Sequence, residues 1–208
     1  MFHRVVRPIA CCLLLSWGVL AAPRKEDLPP AYYHPSMVGD KLVFEQDYGD
    51  HSKEWVLEVT DARQKGVALI VTIRGTKGEG TPGSFQYEVS TKGVFKVATE
   101  DAVLEPPECF LRLPFKKGDT WETTRTQDGE TYTTKYTVGD QEEVEVRAVK
   151  FRCVRLESKF VFKGVSCTVT DWMAPRCGMV KEVLVGTDEV GTEYARTTVL
   201  KSFAPGGK

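Results

Sequence analysis

The sequence contains no asparagine. N-linked glycosylation is therefore excluded, and tight turns fall to Asp and Gly. Histidine is scarce, with His3, His34 and His51 the whole supply. His34 lies in a proline-flanked segment and His51 beside a Gly-Asp turn, so both are expected as exposed loop residues rather than catalytic bases. No G-x-S-x-G elbow, H-E-x-x-H helix or P-loop occurs. No cysteine pair has the C-x-x-C spacing of a zinc or dithiol redox site. Asp47 and Asp50 flank one turn, but two carboxylates fall short of the oxygen shell that calcium requires. Neither metal nor cofactor is expected, and no residue is assigned as catalytic.

The first 22 residues read as an export signal. His3, Arg4 and Arg7 form a positive start, Ile9 to Leu20 an apolar core, and Val19-Leu20-Ala21 a cleavage site with Ala22 as the alternative. The apolar run is too short to span a bilayer, which takes about 20 residues. No Cys follows it where a lipid anchor would attach. The expectation is a periplasmic or extracellular protein with no transmembrane span after cleavage. Without Arg4 and Arg7, the remainder carries 26 basic against 29 acidic side chains, a formal charge of −3. That balance does not favour nucleic acid as a partner. Cys109, Cys153, Cys167 and Cys177 remain, and in an oxidising compartment at least one disulfide is expected. Against it, Cys109 alternates with Leu111 and Leu113, and Cys167 with Val165 and Val169, as buried thiols do.

From residue 41 onward, short β-rich runs are separated by turn signals. Residues 23–40 form an extended lead-in, 41–203 a single β domain and 204–208 a tail. Strands are predicted at Lys41–Asp47, Lys53–Asp61, Val67–Arg74, Ser84–Ser90, Val94–Ala98 and Cys109–Leu113. They continue at Thr120–Thr126, Thr131–Val138, Glu143–Arg147, Phe151–Phe162, Val165–Met173, Met179–Gly186 and Thr192–Phe203. Gly139-Asp140 reads as a connector, Ala102–Glu105 as a single helical turn, and Asp128-Gly129 as a two-residue hairpin turn. Phe85, Tyr87 and Val89 face opposite Ser84, Gln86 and Glu88; Trp55, Leu57 and Val59 alternate likewise. One-sided alternation with tight turns implies an all-β, antiparallel fold. No segment outside the signal keeps apolar residues at helical spacing for three turns, so crossover helices are excluded.

The organising stretch is Trp172 to Lys181, where Pro175 to Gly178 bends a hairpin between Val165–Met173 and Met179–Gly186. Trp172 is expected to be mostly buried, capping one end of the sheet with its indole N–H on a carbonyl. Pro35 to Asp40 and Pro114 to Asp119 both end in Gly-Asp, 79 residues apart. They suggest two similar half-sheets, 35–113 and 114–203.

Several segments resemble a group of uncharacterised secreted bacterial β-proteins. Tyr32-Tyr33-His34-Pro35 with Val38-Gly39-Asp40 is similar to their YYPLKVGxxW opening. Ser90 to Phe95 resembles SxxGVY, and Leu113 to Trp121 resembles LPxKxGDTW. Phe151 to Glu157 resembles FxAVRVE, and Trp172 to Lys181 resembles WYAPGVGLVK. The chain departs where Arg147 to Lys150 replaces a PAG bend, Cys177 a Val, and Met173 a Tyr. The resemblance implies a curved antiparallel sheet, a half-open barrel like that of lipoprotein carriers, and no activity, since these are domains of unknown function. The functional expectation is a non-catalytic extracytoplasmic binding or carrier protein with an apolar concave face. Trp55, Phe85, Tyr87, Tyr132, Tyr136 and Trp172 are its candidate ligand residues, each more readily read as core. The alternatives are a structural or protein-interaction module of the cell envelope, and a hydrolase whose site assembles only in space.

Overall fold

A computed structural model describes residues 32–77, 83–127 and 129–207. The expected export signal, the start of the expected lead-in and Asp128 lie outside the described residues. Twelve strands follow: β1 (Lys41–Asp47), β2 (Ser52–Lys65), β3 (Ala68–Lys77), β4 (Gly83–Ser90), β5 (Gly93–Thr99) and β6 (Val103–Arg112). The second set is β7 (Thr120–Gln127), β8 (Glu130–Val146), β9 (Val149–Phe162), β10 (Val165–Ala174), β11 (Gly178–Thr187) and β12 (Glu193–Ala204). All join one antiparallel sheet, ordered β6-β5-β4-β3-β2-β1-β12-β11-β10-β9-β8-β7. Neighbours in sequence are neighbours in space, and β1 pairs with β12 to bring the ends of the chain together. The result is a nearly closed barrel whose gap lies between β6 and β7.

The gap has a local cause. β6 carries Pro106 and Pro107, which have no N–H to offer a further strand. Side chains bridge it instead. The Trp121 indole donates to the Cys109 carbonyl at 3.0 Å, and the Thr123 hydroxyl donates to the same oxygen at 3.4 Å. Arg125 and Glu108 form an ion pair across it at 3.3 Å.

Two predicted breaks are continuous strand. Gly139-Asp140 is not a connector but a bulge inside β8, where pairing with β9 slips between Val138 and Gln141. Both flanks keep β9 as partner, so the extra residues are absorbed without a turn. The helical turn expected at Ala102–Glu105 is replaced by the start of β6 at Val103. Around the expected Asp128-Gly129 turn, Gln127 pairs with Glu130 and Gly129 has φ +80°, while Asp128 itself lies outside the described residues.

The two Gly-Asp loops make the same bonds. Gly39 N donates to Val59 O and Val59 N to Asp40 O, both at 2.9 Å. Gly118 N donates to Val138 O at 2.8 Å and Val138 N to Asp119 O at 2.9 Å. In each loop the Asp carboxylate also accepts from the amide three residues back, Met37 or Lys116. Gly39 and Gly118 sit at φ +88° and +89°, a conformation that disfavours a side chain.

The lead-in closes one end of the barrel against the β10–β11 bend. Arg176 N donates to Tyr32 O, and a side chain at Gly178 would meet Pro35. His34, expected in solvent, is 7% exposed. Its ring packs on Tyr87 at 4.6 Å and its Nδ1–H donates to Pro35 O at 2.7 Å. Packing of the extended lead-in over β4 buries it, a long-range effect with no local signal. His51 is exposed, as expected.

The disulfide expectation is also corrected, since all four described cysteines are free thiols. Cys109 and Cys153 belong to different core clusters. Cys167 contacts the Tyr194 hydroxyl at 3.4 Å. The apolar reading of Cys109 and Cys167 wins over the redox one. Burial first, then Glu142 and Cys177, pushes the Cys153 thiol up to about 11, so it is a poor nucleophile.

Candidate functional site

Because side chains alternate along each strand, one face of the sheet lines the barrel interior. Between the walls lies a cavity of about 800 Å³. β1 contributes Leu42 and Phe44, β2 Trp55 and Leu57, β3 Ile73, and β4 Phe85 and Tyr87. Gly75 and Gly83, paired across β3 and β4, also line it, and the Leu57 and Phe85 side chains pack against them. His34 and Pro35 of the lead-in close the inner end. Tyr48, Lys53 and Thr76 are both exposed and cavity-lining, so the mouth opens there. A smaller recess of about 370 Å³ sits by the Leu113–Asp119 loop, lined by Lys92, Arg112 and Trp121 among others.

Of the six aromatic candidates, Trp55, Phe85 and Tyr87 line the large cavity. Tyr136 stacks on Trp121 at 5.2 Å in the neighbouring core and is 3% exposed. Tyr132 packs between Phe160 and Phe162. Trp172 faces away from the cavity, since Asp171 and Met173 on either side of it point inward. It is half-buried rather than capping the sheet, and its indole N–H finds the Glu142 carboxylate at 2.5 Å instead of a carbonyl.

Sequence reasoning missed a row of polar residues on the inner wall. Gln46, Thr198, Glu182 and Asp171 stand opposite one another on β1, β12, β11 and β10. Gln46 Nε2 donates to Thr198 Oγ1 at 3.3 Å, and Thr198 Oγ1 to Glu182 Oε1 at 3.2 Å. Arg196 Nη2 donates to the same Glu182 oxygen at 2.8 Å. Asp171 is the direct cross-strand neighbour of Glu182, and like charges so placed repel. Burial first, then Glu182, raises the Asp171 carboxyl well above the carboxylate range, against the opposing pull of Arg196 and Arg125. Asp171 therefore holds its proton to higher pH than an ordinary carboxyl. Burial, then Glu108, pushes the Tyr87 phenol up to about 12. Burial does the same to Tyr136, also to about 12, with Arg125 opposing. Arg125 Nη2 donates to the Tyr136 hydroxyl at 2.8 Å, continuing the polar row toward the gap. A long apolar cavity with one polar wall suits a molecule that is mostly hydrocarbon and partly polar.

No family model matches the chain, and no match is found among curated proteins. Two solved structures share its fold. One is a protein from Bacteroides fragilis NCTC 9343 described as exported, with a YmcC-like fold. It is 16% identical with a TM-score of 0.58, over 84% of this chain and 100% of that one. The other, from Parabacteroides distasonis ATCC 8503, is described as a lipoprotein. It is 12% identical with a TM-score of 0.50, over 85% of this chain and 100% of that one.

Proposed function

We propose that this chain is an exported, non-catalytic carrier or binding protein that holds a mostly apolar small molecule inside its barrel. The observation that carries this reading is the cavity of about 800 Å³ walled by Phe44, Trp55, Leu57, Ile73 and Phe85. Its size falls within the range of about 300–1,000 Å³ usual for small-molecule sites, and its lining is apolar with a few placed polar groups. Export is supported by the basic start and short apolar run of residues 1–22. Similarity in fold to proteins described as exported and as a lipoprotein agrees with it. The same reading takes 41–203 as one β domain of two similar half-sheets, supported by the matching bonds of the two Gly-Asp loops.

Organic extraction of the protein purified from its source, followed by mass spectrometry, tests the proposal. The expected result is one class of apolar molecule at close to one per chain, absent from a mock extraction. A chain that carries nothing above the mock, and takes up no apolar molecule after extraction, contradicts it.

A further inference from the structure

We infer that the occupant is an acyl chain whose head carries a carbonyl oxygen, as carboxylate or ester, placed against the polar wall formed by Trp55, Asp171 and Arg196. This deepens the carrier reading and rests on it. Trp55 Nε1 and Arg196 Nε are buried N–H groups with no acceptor. Buried donors are nearly always paired, so each calls for an explanation. Trp55 cannot turn its N–H elsewhere cheaply, because its ring stacks on Phe44 at 4.6 Å and 20°. Arg196 is held by its Nη2 bond to Glu182, which fixes where Nε points.

Two acceptor atoms on the same wall are already engaged, Glu182 Oε1 and Gln46 Oε1. Glu182 Oε1 accepts from both Arg196 and Thr198. Gln46 Oε1 accepts from the Tyr48 hydroxyl at 2.7 Å, and Thr198 Oγ1 accepts from Gln46. The groups facing Asp171 are Glu182, Arg196, Arg125 and Tyr136. Burial and Glu182 raise its carboxyl, and Arg196 and Arg125 oppose them. Lys53, opposite Gln46 at the mouth, adds an ammonium. Trp55 Nε1 and Arg196 Nε thus remain buried donors without an acceptor. A carbonyl oxygen supplies one, whereas an amine brings further donors and a positive charge beside Arg196. Phe44, Leu57, Ile73 and Phe85 supply the surface for the chain.

The test uses delipidated full-length protein loaded with N-phenyl-1-naphthylamine, displaced by four probes of equal chain length. These are laurate, monolaurin, dodecylamine and dodecane. Laurate or monolaurin should displace the dye at concentrations at least about tenfold below the amine and the alkane, the worth of a hydrogen bond or two in a dry site. Preference for laurate points to free fatty acids, and preference for monolaurin to glycerolipid esters. Trp55→Phe, which keeps the ring and loses the N–H, should still bind the dye and lose about fivefold or more of that preference. Displacement by the amine or the alkane equal to both carbonyl probes overturns the inference while leaving the carrier reading intact. Unchanged head-group preference in Trp55→Phe contradicts the assigned wall. Failure of the wild type to bind any dye saturably overturns the carrier reading, and this inference falls with it.

Discussion

Trp172 on β10 reaches over β9 to donate its indole N–H to Glu142 on β8, at 2.5 Å. The Lys181 ammonium lies over the same ring at 4.9 Å from its centre. This contact is on the face turned away from the cavity, so it serves stability and not binding. Trp172→Phe keeps most of the packing and loses the charge-assisted bond. The expected cost is about 1–2 kcal/mol in urea denaturation, with apolar-dye affinity unchanged. Loss of dye binding at unchanged stability would place the tryptophan in the site instead.

The β8–β9 turn stores strain. Val146 pairs with Val149, leaving Arg147 and Ala148 as a two-residue turn at φ +49° and +64°. Such turns favour Asn-Gly or Asp-Gly because L side chains resist positive φ. Arg147 is held by its bond to Glu45 at 2.7 Å, so the change belongs at Ala148. Ala148→Gly should raise stability by about 1 kcal/mol, read as a higher denaturation midpoint at unchanged slope. A lower midpoint would show that the turn is not strained.

His34 predicts an acid-side loss of stability. Burial outweighs its bond to Pro35 and the nearby Asp40, holding it at about 4 against the ordinary 6.5. The unfolded chain takes up the proton first as pH falls. Stability is therefore fully present above about pH 6.5 and is lost progressively down to about pH 4. The loss reaches at most about 3 kcal/mol from this group. His34→Phe, which preserves stacking on Tyr87, should lack this component. Parallel pH profiles for wild type and variant would show that His34 is not buried as described.

Much of this architecture was legible in the chain, and the reasons differ by element. Trp55-Leu57-Val59 and Phe85-Tyr87-Val89 alternate because one face of each strand is buried, and period two survives in sequence. The β1–β12 pairing brings together residues 150 or more positions apart, and no local pattern encodes it. Gly139-Asp140 uses the residues of a turn to make a bulge, which only the partner strand distinguishes. The inner polar row was invisible for a related reason. Thr198, Glu182 and Asp171 look like solvent-facing positions until curvature turns them inward. His34 likewise sits in a proline-rich segment, whose burial depends on what it docks against.

Asp171 carries the opposite pH signature to His34. A carboxyl raised by burial and by Glu182 keeps its proton in the folded state, while the unfolded chain gives it up above its ordinary 3.8. It therefore lowers stability as pH rises from about 4 toward neutrality. Asp171→Asn should have a higher denaturation midpoint than wild type at pH 7, with the difference shrinking to nothing near pH 4. An equal or lower midpoint at pH 7 would mean that Asp171 is ionised and well partnered.

The central claim is that the barrel interior is a ligand cavity, and a cavity-filling substitution tests it most directly. Leu57 is half-buried on the cavity wall, with its Cδ2 packed over Gly75. Delipidated wild type should bind N-phenyl-1-naphthylamine saturably at one site. Leu57→Trp should bind it at least about tenfold more weakly, through a loss of over 1.4 kcal/mol, while its thermal midpoint stays within a few degrees. A wild type that never saturates, or a folded Leu57→Trp that binds the dye as tightly as wild type, would contradict the account.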